Sequence, residues 1–190
     1  LSMREGRQRL AEGVVVAGHH EGEVDGLRRE HVGHGEEVPE GNVYHYQTQQ
    51  TNKVFRALDD KQSKQALLKK APAESAVALK GRDAEFPGIA VNELSADQRQ
   101  LVEETLKVLL APYRQEDVSE VMELLQANGG VESLHMAFYE QGDLNSDRLW
   151  DIWRVEGPGF VWHFRGAPHV HAYINIGAVQ AWAGGRLQPD

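Results

Sequence analysis

Three histidines near the C-terminal end, His163, His169 and His171, are the residues of this sequence whose type and spacing best suit chemistry. A neutral imidazole gives one lone pair to a divalent ion at about 2.0–2.1 Å, and three of them leave a coordination position open. In that position an ion would acidify water or polarise a substrate oxygen. Arg165 would steer an anionic group towards it, and Asp151 would orient a ligand or complete the coordination. The chain has no cysteine, which removes thiolate catalysis, Cys-ligated zinc and iron–sulfur clusters. Zinc, copper, iron or manganese would suit the remaining donors, and ligand type does not separate them.

Only a pleated surface of definite register can bring these rings together. In 169–176, His169, His171, Tyr173 and Asn175 alternate with Val170, Ala172, Ile174 and Ile176, the period of a half-buried strand. Gly166-Ala167-Pro168 and Gly157-Pro158-Gly159 separate this strand from two others, at 160–165 and about 149–156. With the bends centred on Ala167 and Pro158, His163 faces His171, Arg165 faces His169, Trp153 faces His163 and Asp151 faces Arg165. A slip of one residue would send a whole strand's side chains to the other face.

Upstream, Leu134, Met136 and Phe138 alternate with His135, Ala137 and Tyr139, which predicts the first strand of a four-stranded antiparallel meander over 134–176. The segment before it reads as helical. Ser95-Ala96-Asp97-Gln98 has the form of a capping box, followed by the apolar stripe Val102, Leu106, Leu109, Leu110 and the stop at Pro112. A helix at 116–127 would bury Val118, Val121, Met122 and Leu125, end at Asn128-Gly129-Gly130, and pair antiparallel with the preceding one. From Asn42, the positions Val43, Tyr46, Gln50, Val54 and Leu58 predict another helix. Asp59 and Asp60 cap a second one carrying Ala66, Leu67 and Leu68, and 71–88 is a connector.

The first forty residues are read as a poorly ordered or divergent segment, with a short surface helix at 1–12, a strand at 14–17 and a loop at 18–41. His19, His20, His31, His34 and His45 in or beside that loop fit solvated polar filler better than metal capture. His135 reads as a satisfied structural histidine, and 177–190 as a tail.

Twenty lysines and arginines against 29 acidic residues give a formal charge of −9, which disfavours nucleic acid and anionic membrane surfaces as partners. There is no membrane-spanning run, no signal-peptide core in the first thirty residues, no phosphate-cradling glycine loop, no Gly-x-Ser-x-Gly elbow and no His-Glu-x-x-His helix. The chain starts at Leu1, which reads as the loss of an upstream segment.

Residues 153–175, with Gly157-Pro158, Phe164-Arg165-Gly166 and Pro168-His169-Val170-His171, resemble the C-terminal signature of a bacterial family catalogued as domain of unknown function number 3500. The stretch from Gly41 to Gln47, with Asn52, Phe55, Leu58 and Gln62, and Pro112-Tyr113-Arg114 with the helix after it, are similar to the same family, so the likeness covers about 41–176. It implies an α+β fold, a bacterial source and an envelope location, and it carries no catalytic residues. Family members are longer at the N-terminus, which implies that this chain is a fragment or a divergent member.

The expectation is therefore one α+β domain over 41–176, with helices at 42–128 packed on the antiparallel sheet. It would bind a transition metal through His163, His169 and His171, as a metal-dependent hydrolase or oxidoreductase acting on a small-molecule substrate would. The rival is a metal-free binding or scaffold module in which Trp153, Trp162, Arg165 and Tyr173 form a polar-aromatic surface.

Overall fold

The structure is a computed structural model that describes the backbone of residues 16–19 and residues 45–143, 146–166 and 170–179 in full. Expectations for 1–12, His20, His31, His34, His169 and the tail from 180 lie outside the described residues. The fold is α+β. Strand β1 is Val16–His19, helix α1 His45–Arg56, helix α2 Asp60–Ala66, and strands β2 and β3 are Leu67–Leu68 and Ile89–Ala90. Helices α3 (Ala96–Leu110) and α4 (Gln115–Ala127) precede β4 (His135–Tyr139), β5 (Ile152–Gly157), β6 (Phe160–Arg165) and β7 (His171–Ile176).

The sheet is larger than the expected meander, and it is mixed. Strands β4 to β7 are antiparallel neighbours, β1 extends the sheet beyond β7, β3 pairs antiparallel with β4, and β2 pairs with β4 in parallel. Leu67 and Leu68 therefore leave the helix they were assigned to and join the sheet. Gly18 and His19, expected in a loop, belong to β1, which sets the backbone of His19 opposite His171.

Local chemistry explains the helix ends. Both Asp59 and Ser95 make reciprocal capping boxes, with Gln62 and Gln98 as their glutamines. The Gln98 amide also donates to the Ala57 carbonyl at 2.7 Å and to Gln62 Oε1 at 2.8 Å, so the two helix starts are tied to each other. Helix α4 stops where Gly129 (φ 115°) and Gly130 (φ 73°) take left-handed backbone that side chains disfavour.

The helix pairing differs from the sequence expectation: α3 packs chiefly on α1, while α4 reaches β7. Met122 is exposed rather than buried, and Tyr46 likewise points outward. Helix α1 instead buries a polar face of Gln47, Thr48, Gln50, Thr51 and Asn52. Asn52 accounts for part of it, accepting from Trp150 N at 2.8 Å and donating to Trp150 O at 3.1 Å, which fixes the approach to β5.

One sheet face builds the main core. Met136, Phe138, Trp153, Val155, Trp162, Phe164, Ile174 and Ile176 pack with Val102, Leu106 and Leu109 of α3. The other face is polar from β5 to β7 and lies beneath the connector 69–88, so it too is largely withdrawn from water. At the end of that connector Gly88 (φ 91°) passes so close to β4 that a side-chain carbon there would collide with the Met136 carbonyl.

Candidate functional site

The bend between β5 and β6 decides what the polar face contains. Gly157 pairs with Phe160, so Pro158 and Gly159 form a two-residue turn instead of the three-residue bend assumed from sequence. The register moves by one. Arg154 then faces His163, Ile152 faces Arg165, and Trp153 turns to the core to stack on Phe164 at 4.7 Å between ring centroids. The expected rows Trp153–His163 and Asp151–Arg165 are both corrected by this slip.

Between β6 and β7 the register moves by two from the expected one, which preserves the faces. His163 stands opposite Tyr173, and Arg165 opposite His171. His163, Arg165, His171, Tyr173 and Asn175 therefore do share one face, as their alternation implied. Asp151 lies just before β5, buried, and its backbone bonds to Gly142 O and Gly166 N, each at 2.8 Å, place it outside this group.

The connector supplies the carboxylate that Asp151 does not. Glu74 Oε1 sits 3.1 Å from Arg165 Nε, and Glu74 Oε2 is 2.6 Å from His171 Nδ1. A carboxylate can only accept, so Nδ1 carries the proton and donates to it. Nε2 of the same ring then accepts from Arg165 Nη2 at 3.0 Å. Partial burial raises the Glu74 pKa, but the His171 hydrogen bond and the Arg165 charge outweigh that and hold the carboxyl below its ordinary range.

A second guanidinium engages the other imidazole. Arg154 Nε donates to His163 Nδ1 at 3.3 Å, and its Nη1 donates to the Ala76 carbonyl at 2.9 Å, which pins the connector over the sheet. The His163 proton therefore sits on Nε2, an assignment made by the partners of the ring. Burial, reinforced by the adjacent Arg154 charge, pushes the His163 pKa down to about 4. The ring is neutral at physiological pH.

Metal ligation needs the lone pairs that these two arginines occupy. His163 Nδ1 and His171 Nε2 each face a guanidinium N–H, and a cation placed there would also meet the guanidinium charge. Among the described residues no group of three or more His, Asp or Glu side chains is arranged to hold an ion. His169, the third expected ligand, lies outside them.

Beside Arg154 the face opens into a cleft of about 310 Å³. Tyr139, Arg154 and Glu156 form its polar floor, and Leu68, Ala71, Pro72 and Pro87 its apolar walls. Lys80 at its rim pairs with Glu156 at 2.8 Å, while Arg154 Nη1 is 3.8 Å from the same carboxylate. Arg154 Nη2 and Tyr139 Oη are buried and have no hydrogen-bond partner among the described residues. Burial raises the Tyr139 pKa to about 12, so its hydroxyl remains a donor.

Sequence reading missed Glu74, Arg154, Glu156 and Tyr139. For Arg154 and Glu156 a signal existed: they alternate with Trp153 and Val155, just as His163 and Arg165 alternate with Trp162 and Phe164. Matching apolar side to apolar side would have selected the two-residue turn. Glu74 had no local signal, since nothing in a connector announces which strand it will cross.

His135 is buried against Phe86, and burial lowers its pKa; its Nδ1 has no partner among the described residues, so it is not the satisfied histidine expected. Trp153 and Trp162 are core residues, which removes them from the polar-aromatic surface of the rival reading. Among the described residues no helix is long and apolar enough to cross a membrane. In comparisons with protein-family models, curated proteins and solved structures, nothing matches this chain.

Proposed function

We propose that this chain is a small-molecule-binding module whose site is the cleft on the polar sheet face, and that it works without a metal ion. One observation carries the reading: Arg154 is fixed by His163 and Ala76 yet keeps Nη2 unpartnered among the described residues, on the floor of a 310 Å³ cleft. A buried guanidinium N–H without an acceptor costs about 1–3 kcal/mol or more, and a ligand acceptor would offset that. The volume lies at the lower end of the roughly 300–1,000 Å³ common for such sites.

The competing reading is a transition-metal centre of zinc, copper, iron or manganese on His163, His169 and His171, with Arg165 and Asp151 assisting a hydrolytic or redox reaction. In its favour, His163 and His171 share a face; against it stand the two guanidinium contacts to their lone pairs. The likeness to the bacterial family supports a bacterial source under either reading and supplies no ligand. Elemental analysis of protein purified natively from metal-replete medium separates the two. We expect less than about a tenth of an equivalent of any transition metal; near-stoichiometric metal that disappears in His171→Ala would overturn the metal-free reading.

A further inference from the structure

We infer that the ligand of the cleft is a small carboxylic acid bound as its anion, with its hydrocarbon body between Leu68, Pro72 and Pro87; this rests on the binding-module reading above. Two buried groups on the floor have hydrogen-bonding capacity that no described residue uses, Arg154 Nη2 and Tyr139 Oη, and both offer a proton to the ligand. A planar carboxylate has two acceptor oxygens for two donors.

The charges around the cleft point the same way. Arg154, Lys70 and Lys80 carry three positive charges against the single carboxylate of Glu156, which Lys80 already holds at 2.8 Å. One negative charge is therefore favoured at the floor, and an ammonium group would be repelled. A phosphate would bring up to two charges and more acceptor oxygens than the two donors satisfy, leaving some desolvated without compensation. Opposite the donors the walls are aliphatic, so the remainder of the molecule gains by being apolar. Because Arg154 is held through two of its nitrogens before anything binds, its third pays little further ordering entropy.

The test is a titration of the full chain at pH 7 with hexanoate, 1-hexanol, hexylamine and inorganic phosphate, followed by backbone amide NMR. Hexanoate should shift the amides of Tyr139, Arg154 and the connector and saturate, with the other three binding at least tenfold more weakly. Tyr139→Phe removes one oxygen and keeps the ring, and should weaken hexanoate by about tenfold, the scale of one hydrogen bond to a charged group. Arg154→Gln should abolish the response; if that variant does not fold, Tyr139→Phe still decides. Hexanol or hexylamine binding at these residues as tightly as hexanoate, or an unchanged affinity in Tyr139→Phe, would overturn the carboxylate assignment and leave the binding module standing. No shift with any of the four would remove both.

Discussion

Trp153→Ala is expected to lower the free energy of unfolding by about 3–5 kcal/mol, the range for deleting a large buried aromatic side chain. Trp153 is 0% exposed and stacks on Phe164 across the β5–β6 pair, with 15° between the ring planes. Its indole Nε1 has no partner among the described residues, so Trp153→Phe should cost well under half as much, losing area but no hydrogen bond. Urea unfolding of the two variants measures both values. A cost below about 1 kcal/mol for the alanine variant would mean that the ring lies on the open face and that the β5 register is wrong.

Acid should destabilise the protein through His163. The folded state holds this ring neutral, with its pKa lowered from 6.5 to about 4 by burial and by Arg154. Between those values the unfolded chain binds the proton and the folded chain does not, so stability rises with pH across that window. The contribution is intact above the unfolded value and is lost as pH falls from about 6.5 towards 4, in all roughly 3 kcal/mol at 1.36 kcal/mol per unit. Glu74 acts in the same direction lower down: its depressed pKa gives stability that is present above 4.5 and lost as pH falls through the folded value. His163→Gln keeps an acceptor for Arg154 Nε and does not titrate. Urea midpoints at pH 7 and pH 4.5 should therefore converge in that variant and differ widely in the unsubstituted protein. An equal pH dependence in both would contradict the burial of this ring.

What could be read from the sequence follows the range of the interaction that fixes each feature. The capping boxes at Ser95–Gln98 and the glycine stop after Asn128 depend on residues within four positions and are found where expected. The alternation in β4 and β7 is equally local, and it correctly puts His163 and His171 on one face. Strand pairing at the sheet margins is not local. Leu67 and Leu68 look like the last turn of α2, and only the open side of β4 makes them a strand. The buried polar face of α1 defeats a reading by hydrophobic stripe, because Asn52 is buried for its bonds to the Trp150 backbone.

At the site, a single uncertain residue in the Gly157-Pro158-Gly159 bend exchanged Arg154 for Trp153 as the neighbour of His163. That exchange changes the chemistry. A tryptophan beside the imidazole leaves its lone pair open to an ion, whereas a guanidinium fills it and adds a positive charge. The arginine partner of His171 was already in view as Arg165, but its effect depends on Glu74 orienting the ring from the far side, ninety-seven positions away in sequence.

The nitrogen resonances of the His163 ring report on this directly. Long-range proton–nitrogen correlation spectra of ¹⁵N-histidine-labelled protein near pH 7 should show a neutral ring protonated on Nε2, unchanged on addition of an equivalent of zinc. A ring protonated on Nδ1 whose Nε2 shifts on zinc addition would show an available lone pair where Arg154 is placed, and the metal-free site would have to be abandoned.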